Sequence, residues 1–284
     1  MGSVGDEKPP QSSARRRARV SDFMNPKLPL SVCLISGAEA HRIGKALASV
    51  QEWADEIIVV LNEEVRDGTD TLAEQHGAKV FREPWKGYIA QKNSAAQKAS
   101  QPWILGLDAD EVVSPPLQAE IRRLFETRGE NSAVAAYDFP RCTFYCGRWI
   151  RHGDWYPDRG VRLWQKDRAV WVGTDPHDRL EVRGRVGHLR NDLWHFSYEN
   201  IDHQLRKIAQ YSSYFAEARV AQGRSVSALD LVVRPWWRFV RSYGLRLGFL
   251  DGWQGFYIAW QTAFFTLTRY AKVLEKGVPK SAPL

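Results

Sequence analysis

Short apolar runs alternate with helical stretches over the first part of the chain. Four apolar runs predict buried strands, at 30–36, 56–61, 78–81 and 103–107. Segments with apolar residues at helical spacing separate or follow them, at 39–51, 67–75, 89–99 and 115–125. Strands and helices that alternate in this way are typical of a parallel sheet with helices on both faces. The pattern therefore predicts an α/β fold with a Rossmann-like, mostly parallel sheet.

The pattern changes in the second half of the chain. Residues 133–193 predict short strands and loops. Helical spacing then returns and predicts three long helices, at 198–221, 228–250 and 252–274. No segment has the roughly 18 to 20 uninterrupted apolar residues of a membrane span. We expect three parts, which are a disordered basic tail at 1–27, a domain at 28–197 and a helical C-terminal region at 198–284.

Composition and charge narrow the class of protein. A hydrophobic content of 44% and a charged content of 26% are those of a folded globular protein. The net charge of +7 favours a polyanionic partner, which is a nucleic acid, an anionic lipid or a phosphorylated substrate. The cysteines at 33, 142 and 146 lack the paired spacing of a zinc site and fit a reducing cytoplasm.

Arginines and aromatic residues are interleaved near the C-terminus. They are Arg234, Trp236, Trp237, Arg238, Arg241, Tyr243 and Arg246. This composition suits an anionic membrane surface, and a packed helical cap is the competing interpretation. No nucleic-acid-binding motif appears, so we expect no nucleic acid partner.

An acidic cluster follows the fourth predicted strand. Asp108, Asp110 and Glu111 come directly after the apolar run. A buried strand that ends in carboxylates needs a compensating partner, because desolvating an unpaired charge costs several kcal/mol. Strand ends in open α/β sheets are also where ligands bind. The cluster therefore indicates a Mg²⁺ or Mn²⁺ ion that holds phosphate oxygens, and a solvated acidic turn is the alternative.

Further motifs occur in a fixed order along the chain. They are SVCLISG at 31–37 with Glu39, DGT at 67–69, WKGY at 85–88, QKN at 91–93, LDADE at 107–111, PHD at 176–178, HFSY at 195–198 and GFLDG at 248–252. In this order and spacing, from about residue 30 to 275, the chain resembles inverting family 2 glycosyltransferases of the GT-A fold. More narrowly, it resembles bacterial lipopolysaccharide core β-1,4-glucosyltransferases.

The resemblance implies a site for a nucleotide-sugar donor. The residues expected to bind the donor are Ser36, Glu39, Asn62, Lys92, Asn93 and Asp108. Asp110 is expected to bind the metal ion, with His195 completing its shell, and Glu111 is a candidate supporting group. Asn62 stands where similar enzymes carry an Asp that contacts the base, and an amide can still bind a uracil edge.

An inverting transfer also needs a general base for the acceptor hydroxyl. Asp178 is our first candidate, because similar enzymes carry an acid after a histidine at this position. Asp154 and Asp175 are its rivals, and His177 is a candidate contact for the acceptor or the diphosphate.

With these residues, the resemblance implies a metal-dependent inverting enzyme that moves a sugar from a nucleotide donor, expected to be UDP-linked, to a lipid-anchored saccharide. The lipopolysaccharide inner core is the leading acceptor, and the expected location is peripheral, at the cytoplasmic face of the bacterial inner membrane. One alternative is transfer to a polyprenyl phosphate. Another is an inactive GT-A domain that acts as a membrane-associated assembly protein, and the departure at Asn62 gives it some weight.

Overall fold

The computed structural model of the chain describes residues 26–127, 133–175 and 177–277, and only the backbone of residue 177. The tail predicted at 1–27 lies outside the described residues except for its last two positions.

A mixed sheet forms the centre of the fold. Its parallel part has the order β3-β2-β1-β4, with β1 at Leu28–Ser36, β2 at Ala54–Asn62, β3 at Lys79–Glu83 and β4 at Trp103–Gly106. The sheet continues beyond β4 with β8 (Asp158–Gln165), β6 (Val134–Tyr145), β12 (Leu193–His195) and β5 (Glu111–Val113). β8 is antiparallel to both of its neighbours, whereas β12 is parallel to β6.

The remaining strands are short. β7 (Arg148–Ile150) and β11 (Arg185–His188) pair with β6, and β9 (Ala169–Thr174) and β10 (His177–Val182) form a separate antiparallel hairpin. The helices are α1 (Ile43–Ala48), α2 (Thr69–Gln75), α3 (Tyr88–Lys98), α4 (Pro115–Thr127), α5 (Ile201–Ala221), α6 (Asp230–Phe239) and α7 (Gly252–Gly277).

The parallel strands are buried on both faces, which explains their continuous apolar runs. In β1, Val32 and Leu34 belong to one core cluster, and Cys33, between them, belongs to the other. The first cluster includes Leu47 of α1, and the second includes Ala95 of α3. Because side chains alternate along a strand, helices cover both faces of the sheet. The predicted α/β class is confirmed.

One predicted helix is wrong. The segment 228–250 is not a continuous helix, because α6 ends at Phe239 and a π-helical turn follows at Val240–Leu245. Leu247 then has a left-handed φ of 58°, and a 3₁₀ turn covers Gly248–Asp251. Pro235 lies inside α6.

Asp154 supplies a physical reason for this break. Arg238, Arg241 and Arg246 approach its carboxylate at 3.3, 3.2 and 3.4 Å. In a regular α-helix, side chains five residues apart point about 140° away from each other. The break lets Arg246 reach the same carboxylate as Arg241, and the three cations compensate an acid that is only 9% exposed.

Candidate active site

A cavity of about 590 Å³ opens at the carboxyl ends of β1, β2 and β4. Ser36 ends β1, Asn62 ends β2, and the acidic turn follows β4. The cavity is lined by eight of the residues predicted from the sequence, which are Ser36, Glu39, Asn62, Lys92, Asp108, Asp110, Asp178 and His195. Residues that lie up to 159 positions apart in sequence are thus brought to one site by the strand order.

Strand pairing fixes the acidic turn beside His195. β5 begins at Glu111 and runs antiparallel to β12, with His195 opposite Glu111. The N–H of Phe196 donates to the backbone oxygen of Asp110 at 2.8 Å. As a result, Nε2 of His195 lies 3.6 Å from Oδ2 of Asp110.

This pair fits a divalent cation. Among the described residues no group of three or more His, Cys, Asp or Glu side chains could hold a metal ion. A carboxylate and an imidazole are both metal ligands, and Mg²⁺ and Mn²⁺ sites often leave positions for water and phosphate oxygens. A diphosphate bound in the same cavity would supply such oxygens.

A buried carboxylate supports the turn from behind. Glu111 is fully buried and accepts the N–H of Asp108 at 3.0 Å. It also accepts hydrogen bonds from Arg141 at 3.1 Å and Arg162 at 3.0 Å. Two guanidinium groups and one amide compensate its desolvation. Glu111 therefore holds Asp108 in place, which is the supporting role considered from the sequence.

Lys92 contacts both Asp108 and Asp178. Its Nζ lies 3.2 Å from Oδ1 of Asp108 and donates to Oδ2 of Asp178 at 2.8 Å. The ammonium also lies 4.6 Å from the ring centroid of Trp171. Burial alone raises the pKa of Asp108, but Arg162 and Lys92 outweigh it and hold that pKa well below its usual range. The acid is therefore an anion at neutral pH.

The glycosyl transferase family 2 model matches residues 31–182 of the chain. The chain belongs to glycosyltransferase family 2. This confirms the family predicted from the motifs, and the protein is a glycosyltransferase.

Similar proteins of known sequence cover most of the chain. An uncharacterized glycosyltransferase of Rickettsia felis is 32% identical over an alignment of 262 residues that covers 87% of this chain and 89% of the relative. The lipopolysaccharide core biosynthesis glycosyltransferase LpsC of Rhizobium meliloti is 27% identical over 267 residues, covering 92% of this chain and 97% of that protein. The predicted resemblance to lipopolysaccharide core enzymes is thus matched by a named relative.

A more distant likeness is found among solved structures. The mannosyltransferase PcManGT from Pyrobaculum calidifontis, solved in complex with GDP-Man and Mn²⁺, is 12% identical with a TM-score of 0.49 and a coverage of 88% of both chains. A likeness this distant carries no information about the donor or the metal of this family 2 enzyme.

Asp154 and Asp175, the other two candidates for the general base, both make contacts that support the fold. Asp154 is enclosed by the three arginines described above. Oδ1 of Asp175 accepts the N–H of Ile89 at 3.1 Å and so caps the start of α3. Gly87 stands before this helix with a φ of 91°, and a Cβ there would overlap the Asp175 carboxylate. The side chain of His177 lies outside the described residues.

Asn93 differs from the other predicted donor residues. Its amide nitrogen donates to the backbone oxygen of Trp171 at 2.9 Å, and its oxygen accepts the N–H of the same residue at 3.0 Å. Successive helical residues point about 100° apart, so Lys92 faces the cavity while Asn93 faces β9. Asn93 thus ties α3 to β9 through one donated and one accepted hydrogen bond.

The sequence analysis missed several cavity residues, among them Arg42, Lys207 and Tyr211. Arg42 forms a bidentate pair with Glu39 and lies 3.5 Å from Asp110. Lys207 and Tyr211 reach the cavity from α5. Their spacing of four residues places them on one side of a predicted helix. Nothing in the sequence shows which side of that helix meets the sheet.

Proposed function

We propose that this enzyme transfers a sugar, with inversion and with a divalent cation, from a nucleotide donor to a lipid-anchored saccharide. The observation that carries the proposal is that Asp110 with His195, and Asp178 with Lys92, line the same cavity. One pair is suited to a metal-bound diphosphate and the other to a proton acceptor. The family and the relative LpsC favour a saccharide of the lipopolysaccharide core as the acceptor.

The ends of β1 and β2 suit the nucleoside. The side-chain oxygen of Asn62 accepts the N–H of Glu64 at 3.2 Å, which leaves its amide nitrogen as a donor. Such a donor fits a carbonyl oxygen of uracil, and we therefore favour a UDP-linked sugar. Glu39 is already held by Arg42, so it presents a fixed carboxylate near the nucleoside.

We assign metal binding and proton acceptance to different acids. A divalent cation held by Asp110 and His195 would neutralise the charge that develops on the diphosphate. Asp178 takes the proton of the acceptor hydroxyl as that oxygen attacks the sugar carbon, and the carbon–oxygen bond to the diphosphate breaks. Lys92 orients Asp178, because its ammonium donates a hydrogen bond to Oδ2 of that carboxylate at 2.8 Å.

A screen of donor hydrolysis tests the function directly. Nucleotide sugars are incubated with the enzyme and either Mg²⁺ or Mn²⁺, and nucleotide release is measured with and without EDTA. We expect release from a uridine diphosphate sugar only when the metal is present. If no nucleotide sugar is bound or hydrolysed by the folded protein, the domain is inactive and the assembly-protein alternative holds.

Lys207 is a predicted contact of the donor diphosphate. Its Nζ donates to the backbone oxygen of Ser197 at 3.2 Å, and burial lowers the pKa of its ammonium. A half-buried cation gains from an anionic ligand, and a hydrogen bond to a charged group contributes about 1.5 to 3 kcal/mol. We expect Lys207→Gln to weaken binding of nucleoside diphosphate by about 10-fold to 10²-fold in calorimetry.

Arg206→Gln is the matched control, because it removes an exposed cation one position earlier on α5. Equal losses in both variants would mean that the effect comes from net charge, and unchanged affinity in Lys207→Gln would remove Lys207 from the donor site.

The arginines predicted to contact lipid have acidic partners within the protein. Arg238, Arg241 and Arg246 surround Asp154, and Arg234 pairs with Asp230 at 2.5 Å. Their charge is thus partly used inside the molecule, in agreement with the helical-cap interpretation. The neighbouring apolar side chains differ from these arginines, because many of them are exposed to solvent.

These side chains form a continuous surface on α6, α7 and the turn between them, which we name the apolar face. Its members are Leu229, Val232, Val233, Trp236, Phe249, Leu250, Trp253, Phe256, Trp260 and Phe264, and each is at least 46% exposed. The spacing of Trp253, Phe256, Trp260 and Phe264 places them on one side of α7. Among the described helices, none has the length and apolar character that crossing a membrane requires.

We propose that the apolar face lies in the headgroup layer of the membrane that carries the acceptor. Exposed tryptophans on paired amphipathic helices are typical of proteins that bind a bilayer interface. A peripheral position at the cytoplasmic face of the inner membrane remains the predicted location.

Vesicle co-sedimentation tests this position. Burying a large apolar side chain contributes about 2 kcal/mol, so Trp236→Ser with Trp260→Ser should weaken vesicle binding by about 10²-fold or more. Binding of the unaltered protein should persist in about 1 M salt, where charges are screened beyond about 3 Å. Leu205→Ser on α5 is the control, since Leu205 is 38% exposed but lies outside the apolar face. Loss of binding at high salt, or equal weakening by the control, would contradict the proposal.

A further inference from the structure

The cavity of about 590 Å³ described above is called the reaction cavity here. A second cavity, of about 980 Å³, lies next to it. It runs between the tip of the β9–β10 hairpin, the start of α3, and helices α5 and α7. Tyr88 and Tyr211 line both cavities, so the two cavities adjoin at these rings. We call the second cavity the aromatic groove.

Its walls combine exposed rings with hydrogen-bonding groups. Tyr88, Tyr211 and Tyr214 are 46%, 41% and 45% exposed, and the last two rings are 6.3 Å apart. Gln210 and Gln222 line the groove and bring side-chain amides beside these rings. A sugar ring has an apolar face of C–H groups and a rim of hydroxyls, so this combination of rings and amides matches a saccharide.

The rings are held in place before any ligand binds. Nε2 of Gln210 donates to the hydroxyl of Tyr214 at 2.9 Å, one helical turn away on α5. A platform that is already ordered loses little conformational entropy on binding.

The groove is also lined by Arg269 of α7 and by Glu217, which pairs with Lys276 at 3.5 Å. The guanidinium of Arg269 lies 4.6 Å from the ring centroid of Phe215, and no ion pair of Arg269 is found among the described residues. Its Nε is buried without a hydrogen-bond partner among those residues. Such a guanidinium is suited to a carboxylate or a phosphate group.

The direction of the groove agrees with a lipid-anchored ligand. The groove begins at Tyr211, beside the reaction cavity, and reaches Phe265 and Arg269 on α7. Phe265 and Arg269 lie on the same helix as Phe264 of the apolar face. A saccharide that extends from Tyr211 to α7 would thus have one end beside the reaction cavity and the other against the helix that also carries the apolar face.

We propose that the aromatic groove binds the saccharide chain of the acceptor, with an anionic group of that chain at Arg269. This inference rests on the proposed function. It assigns the acceptor to a surface made by the start of α3, the hairpin and two C-terminal helices, and it makes the acceptor an anionic oligosaccharide.

Calorimetry with a soluble probe tests the groove apart from the membrane. The probe is the deacylated, phosphorylated core oligosaccharide of lipopolysaccharide. Because Tyr214→Ala removes one ring of the platform, it should raise the Kd of the probe by about 2-fold to 10-fold, while Tyr214→Phe, which keeps the ring, should retain most of the affinity. Arg269→Gln should also weaken binding, and this loss should disappear when the probe is dephosphorylated and its carboxyls are reduced.

Two comparisons keep the outcome interpretable. Trp260→Ser, a variant of the apolar face, should bind the soluble probe like the unaltered protein. Nucleoside diphosphate binding, measured beside it, reports on the donor site and on correct folding in every variant. The groove proposal is overturned if the unaltered protein does not bind the probe, or if Tyr214→Ala binds it equally well. Binding without any sugar transfer would overturn the proposed function and leave the groove in place.

Discussion

Asp178→Asn is expected to lower kcat by about 10² to 10⁴-fold, with little change in nucleotide affinity. The amide has nearly the same shape as the carboxylate but cannot accept the proton of the acceptor hydroxyl. Lys92 can no longer form an ion pair with this position, although its bond to Asp108 remains. The measurement is the rate of sugar transfer at saturating donor and acceptor, with nucleotide affinity taken from calorimetry.

Asp175→Asn is the matched control, because Asp175 lies in the same hairpin and caps α3 through a bond that an amide oxygen can also accept. We expect a small effect on kcat. Asp154→Asn is expected to lower stability, since it leaves three arginines around a neutral group. If Asp178→Asn keeps its rate while either of the other variants loses it, the base is assigned to the wrong residue.

Asp110→Asn is expected to lower turnover by about 10²-fold or more. The reason is that the metal ion loses a protein ligand and the diphosphate then loses its counter-ion. A single electrostatic contribution of this kind is about 3 kcal/mol. His195→Gln removes the other candidate ligand and should shift the metal concentration needed for half-maximal rate upward. Turnover is measured over a titration of Mg²⁺ and of Mn²⁺.

Glu52→Gln is a control that removes an acid near the start of β2, away from the cavity. It should leave the metal titration unchanged. Full activity of the unaltered enzyme in excess EDTA, or near-normal turnover by a folded Asp110→Asn protein, would contradict the metal role.

The fold and the strand-end residues were accessible from the sequence for a physical reason. Strands buried on both faces read as continuous apolar runs, and parallel strands place their carboxyl ends at one edge. Ser36, Asn62 and the acidic turn could therefore be expected to meet, and the structure places all of them at one cavity.

Contacts between segments that lie far apart in the sequence could not be predicted from the local pattern of residues. Lys207 enters the cavity because of the way α5 packs, and Arg238 meets Asp154 across 84 residues of sequence. A run of arginines has the same local pattern whether its charges face lipid or a buried acid. The helix predicted over 228–250 was wrong for the same reason, because its break is linked to that acid. The bonds of Asn93 to Trp171 are a further contact of this kind, because the motif does not specify which way each residue of a helical turn points.

The ammonium of Lys92 has a consequence for how this site responds to change. Asp108 and Asp178 both contact this ammonium, and Asp108 also pairs with Arg162 at 3.0 Å. A substitution at either acid changes how Lys92 pairs with the other. The losses of turnover measured for the two single variants are therefore not expected to sum to the loss in the double variant.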